Sequence, residues 1–211
     1  MVNLEKYKND GWGLSRKCFG NILTILNPIR TNKINVLEFG SGMSTEFFVD
    51  LISEGYDLNI VSYDNDIEYC TKIEHPKLKL YISELIECYD SDFISQFQNK
   101  KYNRGFYFNK ISEVNTRQSN TFYDVKENDL PEIIDLMIVD GPHGNGRSIA
   151  FLHGLNHLTV DSHIVIDDYN HYDFVDKFKI LYPNSEQIYI SNTGSLNQWK
   201  LGGNYVIFKI I

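Results

Sequence analysis

Nowhere in the 211 residues is there an apolar run of about 18, so a membrane-spanning helix is not expected. Residues 1–10 are polar and lack the apolar block of a secretory signal. Cysteine is scarce. Cys18, Cys70 and Cys88 are too few and too scattered for a disulfide framework or a zinc site. An odd number of thiols without a signal fits a reducing, cytoplasmic setting, with each thiol a small buried apolar group. Basic residues are outnumbered, 20 Lys and Arg against 28 Asp and Glu, for a net charge of -8, and no Lys/Arg run stands out. Such a surface repels phosphate backbones and makes nucleic acid a poor default partner. No internal repeat, linker or low-complexity tract is present, and glycine, proline and periodicity exclude collagen-like, coiled-coil and disordered classes.

What is present is ordinary globular composition, 42% apolar and 23% charged. The length fits one domain over 1–211, with an N-terminal helical cap (1–33) and an aromatic-rich insertion (101–124). Apolar groups at helical spacing predict a helix from 12 to 26, stopped by Asn27-Pro28. Short apolar runs at 34–39, 58–63, 77–82, 136–139 and 163–166 predict buried strands. Helices are expected at 44–53, 67–73, 85–98, 148–158 and 173–181. Runs at 187–191 and 205–210 predict two closing strands, which either pair antiparallel or place the last strand beside the fifth. Alternating strands and helices build a doubly wound, mainly parallel seven-stranded α/β sheet with an antiparallel closing strand.

In such sheets ligands bind beyond the carboxyl ends of the strands. Four of those ends are polar here: Glu38-Phe39-Gly40-Ser41-Gly42, Asp64, Asp140 and Asp167-Asp168. Gly40 and Gly42 permit a tight bend and close approach to a ligand. The following helix offers free N–H groups, and Ser44 and Thr45 can cap it or contact the same ligand. Asp64, a little over 20 residues on, suits a ribose diol. Together these read as a nucleoside-type cofactor site. A dinucleotide fingerprint would want glycine at Thr45, and no Walker loop exists. Glu38 would repel a pyrophosphate but favour a cation. S-adenosylmethionine, with its sulfonium and ammonium, therefore fits best on charge.

Val36-Leu37-Glu38-Phe39-Gly40-Ser41-Gly42 resembles motif I of the class I S-adenosylmethionine-dependent methyltransferases, and Val61-Ser62-Tyr63-Asp64 resembles their second-strand acidic motif. The resemblance covers roughly 34–179. It implies a Rossmann-like methyltransferase fold, with Glu38 and Gly40 to Gly42 bordering the methionine portion and Asp64 on the ribose. Ser83 or Glu84 would lie near the adenine, although the family's usual Gly-Asp is missing there. Ile164-Val165-Ile166-Asp167-Asp168-Tyr169 is similar to the macrocin-type sugar O-methyltransferases. By that resemblance Asp140, Asp167 and Asp168 match the ligands of a divalent metal. The stretch Asp140-Gly141-Pro142-His143-Gly144 departs from the Asp-Gly-Asp and tyrosine of that group.

Three converging carboxylates repel each other, so they diverge, share protons or bind a cation such as Mg²⁺. Such a cation would lower the pKa of an acceptor hydroxyl. In the other reading Asp167 caps its loop and Asp140 works alone as a base. His143 is either an assisting base or a solvent-facing loop histidine. Arg147 either clamps an anionic substrate group or forms a surface ion pair. Tyr169 and His171 are candidates for the acceptor pocket. The insertion forms either a lid or sugar-stacking wall, or packs on the domain's own edge or a partner subunit. Trp12, flanked by Gly11 and Gly13, either closes over the cofactor or packs in the core.

The expected function is S-adenosylmethionine-dependent methylation of a small polar acceptor, first a hydroxyl of a sugar or nucleotide-sugar, with Mg²⁺ assistance. Asp140 and His143 would carry the catalysis. The expected partners are a small-molecule acceptor and a second copy of the chain, with no nucleic acid and no membrane. The alternatives are a non-catalytic nucleoside-binding module of the same fold, an N-methyltransferase without metal, and an NAD-type oxidoreductase, which Thr45 and Glu38 disfavour.

Overall fold

A computed structural model describes residues 2–7, 13–109, 120–192 and 203–211. In chain order its first half runs α1 (Arg16–Leu26), β1 (Lys33–Phe39), α2 (Met43–Ser53), β2 (Asp57–Asp64), β3 (Leu78–Ile82), β4 (Leu85–Glu87) and α3 (Asp90–Gln98). Then come β5 (Phe108–Asn109), β6 (Thr121–Tyr123), β7 (Ile134–Val139), α4 (Ile149–His153), β8 (Leu158–Asp167), α5 (Phe174–Leu181), β9 (Glu186–Ser191) and β10 (Tyr205–Lys209). Seven strands form one sheet in the order β3-β2-β1-β7-β8-β10-β9. Pairing is parallel from β3 through β8, and β10 is antiparallel to both β8 and β9. Both expected placements of the last strand are therefore met at once. This is the doubly wound α/β sheet the sequence predicts.

Successive strand residues face opposite sides of the sheet. On one side Ile34, Val36, Leu58 and Ile60 pack with α1 and α2. On the other, Leu37, Phe39, Val61 and Tyr63 pack with α3 to α5 and with a small sheet of order β5-β4-β6. Ser15 caps α1, its Oγ accepting the Cys18 N–H at 3.3 Å. All three cysteines are free and buried. Among the described residues no helix is long and apolar enough to cross a membrane.

Three local expectations fail for physical reasons. Residues 67–73 form a turn at 67–69 followed by irregular chain, not a helix. Asp64, Asp66 and Thr71 each bond a backbone N–H two residues on, which competes with helical hydrogen bonding. Residues 85–98 split into β4 and α3, because β4 is recruited by β5 and β6 from far along the chain. The helix at 148–158 ends at His153, and β8 begins five residues earlier than expected, at Leu158.

The insertion's aromatic groups are mostly core. Tyr107, Phe122 and Tyr123 are buried, and Tyr102 and Phe106 pack against them. Residues 110–119 lie outside the described residues, as do Gly11 and Trp12. His153 is buried against the rings of Tyr102 and Phe122, 4.2 and 5.8 Å between centroids, and neither ring nitrogen has a hydrogen-bond partner. Burial lowers its pKa to about 3. A histidine whose folded pKa lies below its unfolded value contributes stability above about pH 6.5, and loses it as pH falls. We expect His153→Leu to change stability at pH 7.5 by less than about 1.5 kcal/mol. It should remove a loss that reaches about 1.4 kcal/mol per pH unit below pH 6.5. Urea unfolding between pH 4 and 8 measures both, and an unchanged acid slope would contradict the assignment.

Candidate active site

The strand order reverses between β1 and β7, and a crevice opens at the carboxyl ends of such a pair. Here the two ends nearly touch. The Phe39 carbonyl accepts the N–H groups of Asp140 at 2.9 Å and Gly141 at 2.6 Å. A Cβ on Gly40 would lie 2.8 Å from the Gly141 nitrogen, and one on Gly141 would collide with the Tyr123 hydroxyl. Side chains are thus excluded where the loops cross. A Cβ on Gly42 would meet nothing within 4 Å, so open space lies beside that turn.

Glu38 lies below this crevice and is fully buried. Its carboxylate accepts the hydroxyls of Ser44 at 2.5 Å, Thr45 at 2.5 Å and Ser62 at 2.6 Å. Thr45 Oγ1 in turn accepts the Gly42 N–H at 3.0 Å. Ser44 and Thr45 thus both bond Glu38 and lock the glycine turn to the start of α2. A carboxylate there also complements the helix dipole. Burial pushes the Glu38 pKa up to about 7, against the pull of the three hydroxyls, with Asp140 adding repulsion.

Asp64 ends β2 at 8% exposure. Its Oδ2 accepts both the N–H and the hydroxyl of Ser41, at 2.9 and 3.0 Å, and its Oδ1 accepts the Asp66 N–H at 2.9 Å. Ser83 follows β3. Its N–H donates to the Asp64 carbonyl at 2.7 Å, and its Oγ accepts the Asp124 N–H at 2.9 Å, which ties the main sheet to the small one. Glu84 is exposed beside it.

Across the crevice, Asp140 and Asp167 are hydrogen-bonded to each other. Burial raises both pKa values; the fields of Asp140 and Asp168 add to the rise at Asp167, and that of Asp168 to the rise at Asp140. The two carboxyls thus share a proton, and Arg147 favours the charged form of each. Arg147 is not a surface ion pair, being 4% exposed. Its Nε donates to the Pro142 carbonyl and its Nη1 to the Asp167 carbonyl, both at 3.1 Å. Its guanidinium lies over the Phe174 ring. From the other side Gly13 approaches: a Cβ there would be 3.3 Å from Asp140 Oδ2. The chain entering α1 therefore overlies the acid pair.

Asp168 follows in a left-handed conformation, φ 50°, uncommon for a residue with a Cβ and typical of strained functional turns. Its Oδ2 lies 3.5 Å from His171 Nδ1. His143 is exposed and Tyr169 half-buried. Among the described residues no group of three or more His, Cys, Asp or Glu side chains is arranged to hold a metal ion. Asp140 and Asp167 share a proton, and Asp168 faces His171. The expected three-aspartate Mg²⁺ site does not fit this arrangement.

Sequence reasoning missed two residues. Ser62 had a readable signal: it is a hydroxyl inside an apolar strand, in register with Glu38 on the neighbouring strand. Tyr123 did not. It stacks on Phe39 with centroids 6.0 Å apart, and burial together with the fields of Asp64, Asp140 and Glu38 raises its pKa well above the usual phenol value. It arrives from β6, and nothing local in the sequence says that β6 abuts the crevice.

No family model matches the chain, and no curated protein matches it. Solved structures do. Precorrin-6y C5,15-methyltransferase from Geobacter metallireducens GS-15 is 12% identical, over 100% of this chain and 98% of that one, with a TM-score of 0.52. The MycE methyltransferase of the mycinamycin biosynthetic pathway, in complex with Mg and SAH, is 10% identical over 99% of this chain, with a TM-score of 0.50. This chain spans about half the length of MycE, 49%. At such identities the likeness establishes the fold, a Rossmann-like sheet shared with methyltransferases.

Proposed function

We propose that the chain is an S-adenosylmethionine-dependent methyltransferase acting on a small polar acceptor, with a sugar or nucleotide-sugar hydroxyl as the first candidate. One observation carries this reading: the strand ends at the switch point bring Asp64, with an acceptor position left, within the electrostatic reach of Asp140 and its proton-sharing neighbour Asp167. The open space beside Gly42 and the acceptor position left on Asp64 fit a nucleoside with a short polar tail. When bound, S-adenosylmethionine supplies an electrophilic methyl group on a sulfonium. Asp64 holds the ribose, and the Gly40–Gly42 turn lets the tail approach the backbone. Asp140 takes the acceptor's proton at its carboxylate, and Arg147 and Asp167 hold that carboxylate in place. The chain entering α1 at Gly13 limits water at Asp140.

No step is assigned to Mg²⁺, because the aspartates do not fit it as a set. The same observation favours a second reading, a nitrogen acceptor that needs a base and orientation without a metal. A cytoplasmic location, with three free thiols, belongs to this proposal. So does a small-molecule partner rather than nucleic acid.

Calorimetry with S-adenosylhomocysteine and with NAD tests the reading. The homocysteine compound is expected to bind and NAD not to. Asp64→Ala should weaken that binding by about 10- to 100-fold, the loss of hydrogen bonds to a charged group. Binding of NAD alone would replace the reading with an oxidoreductase. Binding of the homocysteine compound with no acceptor ever methylated would leave a nucleoside-binding module.

A further inference from the structure

The hydrogen bonds at Asp64 do not leave room for a whole diol. A carboxylate has about four acceptor positions, two on each oxygen. Oδ2 has both of its positions filled by Ser41, one by the N–H at 2.9 Å and one by the hydroxyl at 3.0 Å. Oδ1 has one filled by the Asp66 N–H at 2.9 Å, which leaves a single position. The Ser41 hydroxyl is itself held from behind, since the Thr71 N–H donates to its Oγ at 3.3 Å. The bond therefore closes a ring from the glycine turn through Asp64 to the loop after β2.

We infer that Ser41 is a specificity-determining residue that fixes how much of a ribose Asp64 holds: one hydroxyl is bound by the carboxylate, and the second finds its place taken by the serine. The inference rests on the nucleoside reading of the crevice and goes beyond it. The competition is between equals, because both hydroxyls would make an O–H···O⁻ bond to the same oxygen. A ribose that displaced Ser41 would leave the serine hydroxyl to find another acceptor and would loosen the Thr71 contact. One hydroxyl of the nucleoside should thus contribute strongly to affinity and the other almost nothing.

The experiment measures affinity for S-adenosylhomocysteine and for its 2′-deoxy and 3′-deoxy analogues, with the wild-type chain and with Ser41→Ala and Ser41→Thr. For the wild type, one deoxy analogue is expected to bind roughly tenfold more weakly and the other within about twofold of the parent. In Ser41→Ala both deoxy analogues should lose roughly tenfold, and the parent compound should bind several-fold more tightly. Ser41→Thr keeps the hydroxyl and should reproduce the wild-type asymmetry. Thermal unfolding of each variant separates a folding defect from a binding effect, and a Ser41→Ala chain that does not fold leaves the wild-type asymmetry to decide. Equal losses on both analogues in the wild type would overturn the inference while leaving the nucleoside site intact. No binding of any of the three compounds to any variant would overturn the nucleoside reading, and this inference with it.

Discussion

Glu38→Ala is expected to destabilise the fold by about 3–5 kcal/mol, the cost typical of removing one member of a buried charged network. Three hydroxyls, on Ser44, Thr45 and Ser62, lose their acceptor in a region with no access to water. The start of α2 and the glycine turn are then released together. Glu38→Gln keeps the shape and one acceptor oxygen, and should cost about 1–2 kcal/mol. The two variants differ in pH dependence as well. The folded Glu38 pKa of about 7 lies above the unfolded value near 4.5. Its protonated form is therefore favoured by folding. That contribution is complete below about pH 4.5 and is lost as pH rises through 7.

His153 works in the opposite direction over an overlapping range, its pKa lowered by burial to about 3. Between about pH 4.5 and 6.5 the two groups offset each other, one losing stability with rising pH and the other with falling pH. Glu38→Gln should expose the acid loss due to His153, and His153→Leu the alkaline loss due to Glu38. Asp140 and Asp167, both raised, add to the Glu38 direction. The difference between variant and wild type at each pH is thus the quantity to read. Parallel curves for wild type and Glu38→Gln from pH 4.5 to 8 would mean that Glu38 does not change protonation on folding.

Much of the frame is legible because it is set by local pattern. Apolar runs ending in Gly40, Asp64, Asp140 and Asp167 mark the strands and their carboxyl ends, and right-handed crossovers bring those ends to one rim. What is not legible depends on partners remote in sequence. Leu85 to Glu87 read as the start of a helix, yet they pair with Phe108–Asn109 and Thr121–Tyr123. Composition leaves the aromatic groups around Tyr102 and Tyr107 open between a sugar-stacking wall and packing on the domain itself, and only the remote pairing of the small sheet puts them in the core. Glu38 illustrates a third limit. Residue type and position identify it as a strand-end acid, but whether it faces ligand or protein depends on Ser44, Thr45 and Ser62 supplying three hydroxyls. Acids at strand ends also do not by themselves make a metal site. A shared proton between Asp140 and Asp167 relieves the same repulsion that a cation would.

Asp140→Ala is expected to reduce methyl transfer by about 10²–10⁴-fold, the usual worth of a positioned general base. Affinity for S-adenosylhomocysteine should stay within about threefold, because the ribose contact proposed above is Asp64 and not Asp140. Asp140 must be ionised to accept a proton, and burial raises its pKa, so activity in the wild type should climb with pH on the acid limb. Asp167→Asn is the informative neighbour. An asparagine amide can still donate to Asp140 but carries no titrating proton, so it should retain most of the alkaline activity and shift the acid limb to lower pH. Asp167→Leu removes the donor and should lower activity at every pH. Chelator adds an independent readout. With Asp140 and Asp167 engaged in a proton-sharing bond, and Asp168 beside His171, chelation is expected to leave turnover unchanged. Activity lost to chelator and restored by Mg²⁺ would mean that the pair opens to admit a cation when the acceptor binds. Asp168→Ala would then be the variant that loses the Mg²⁺ response.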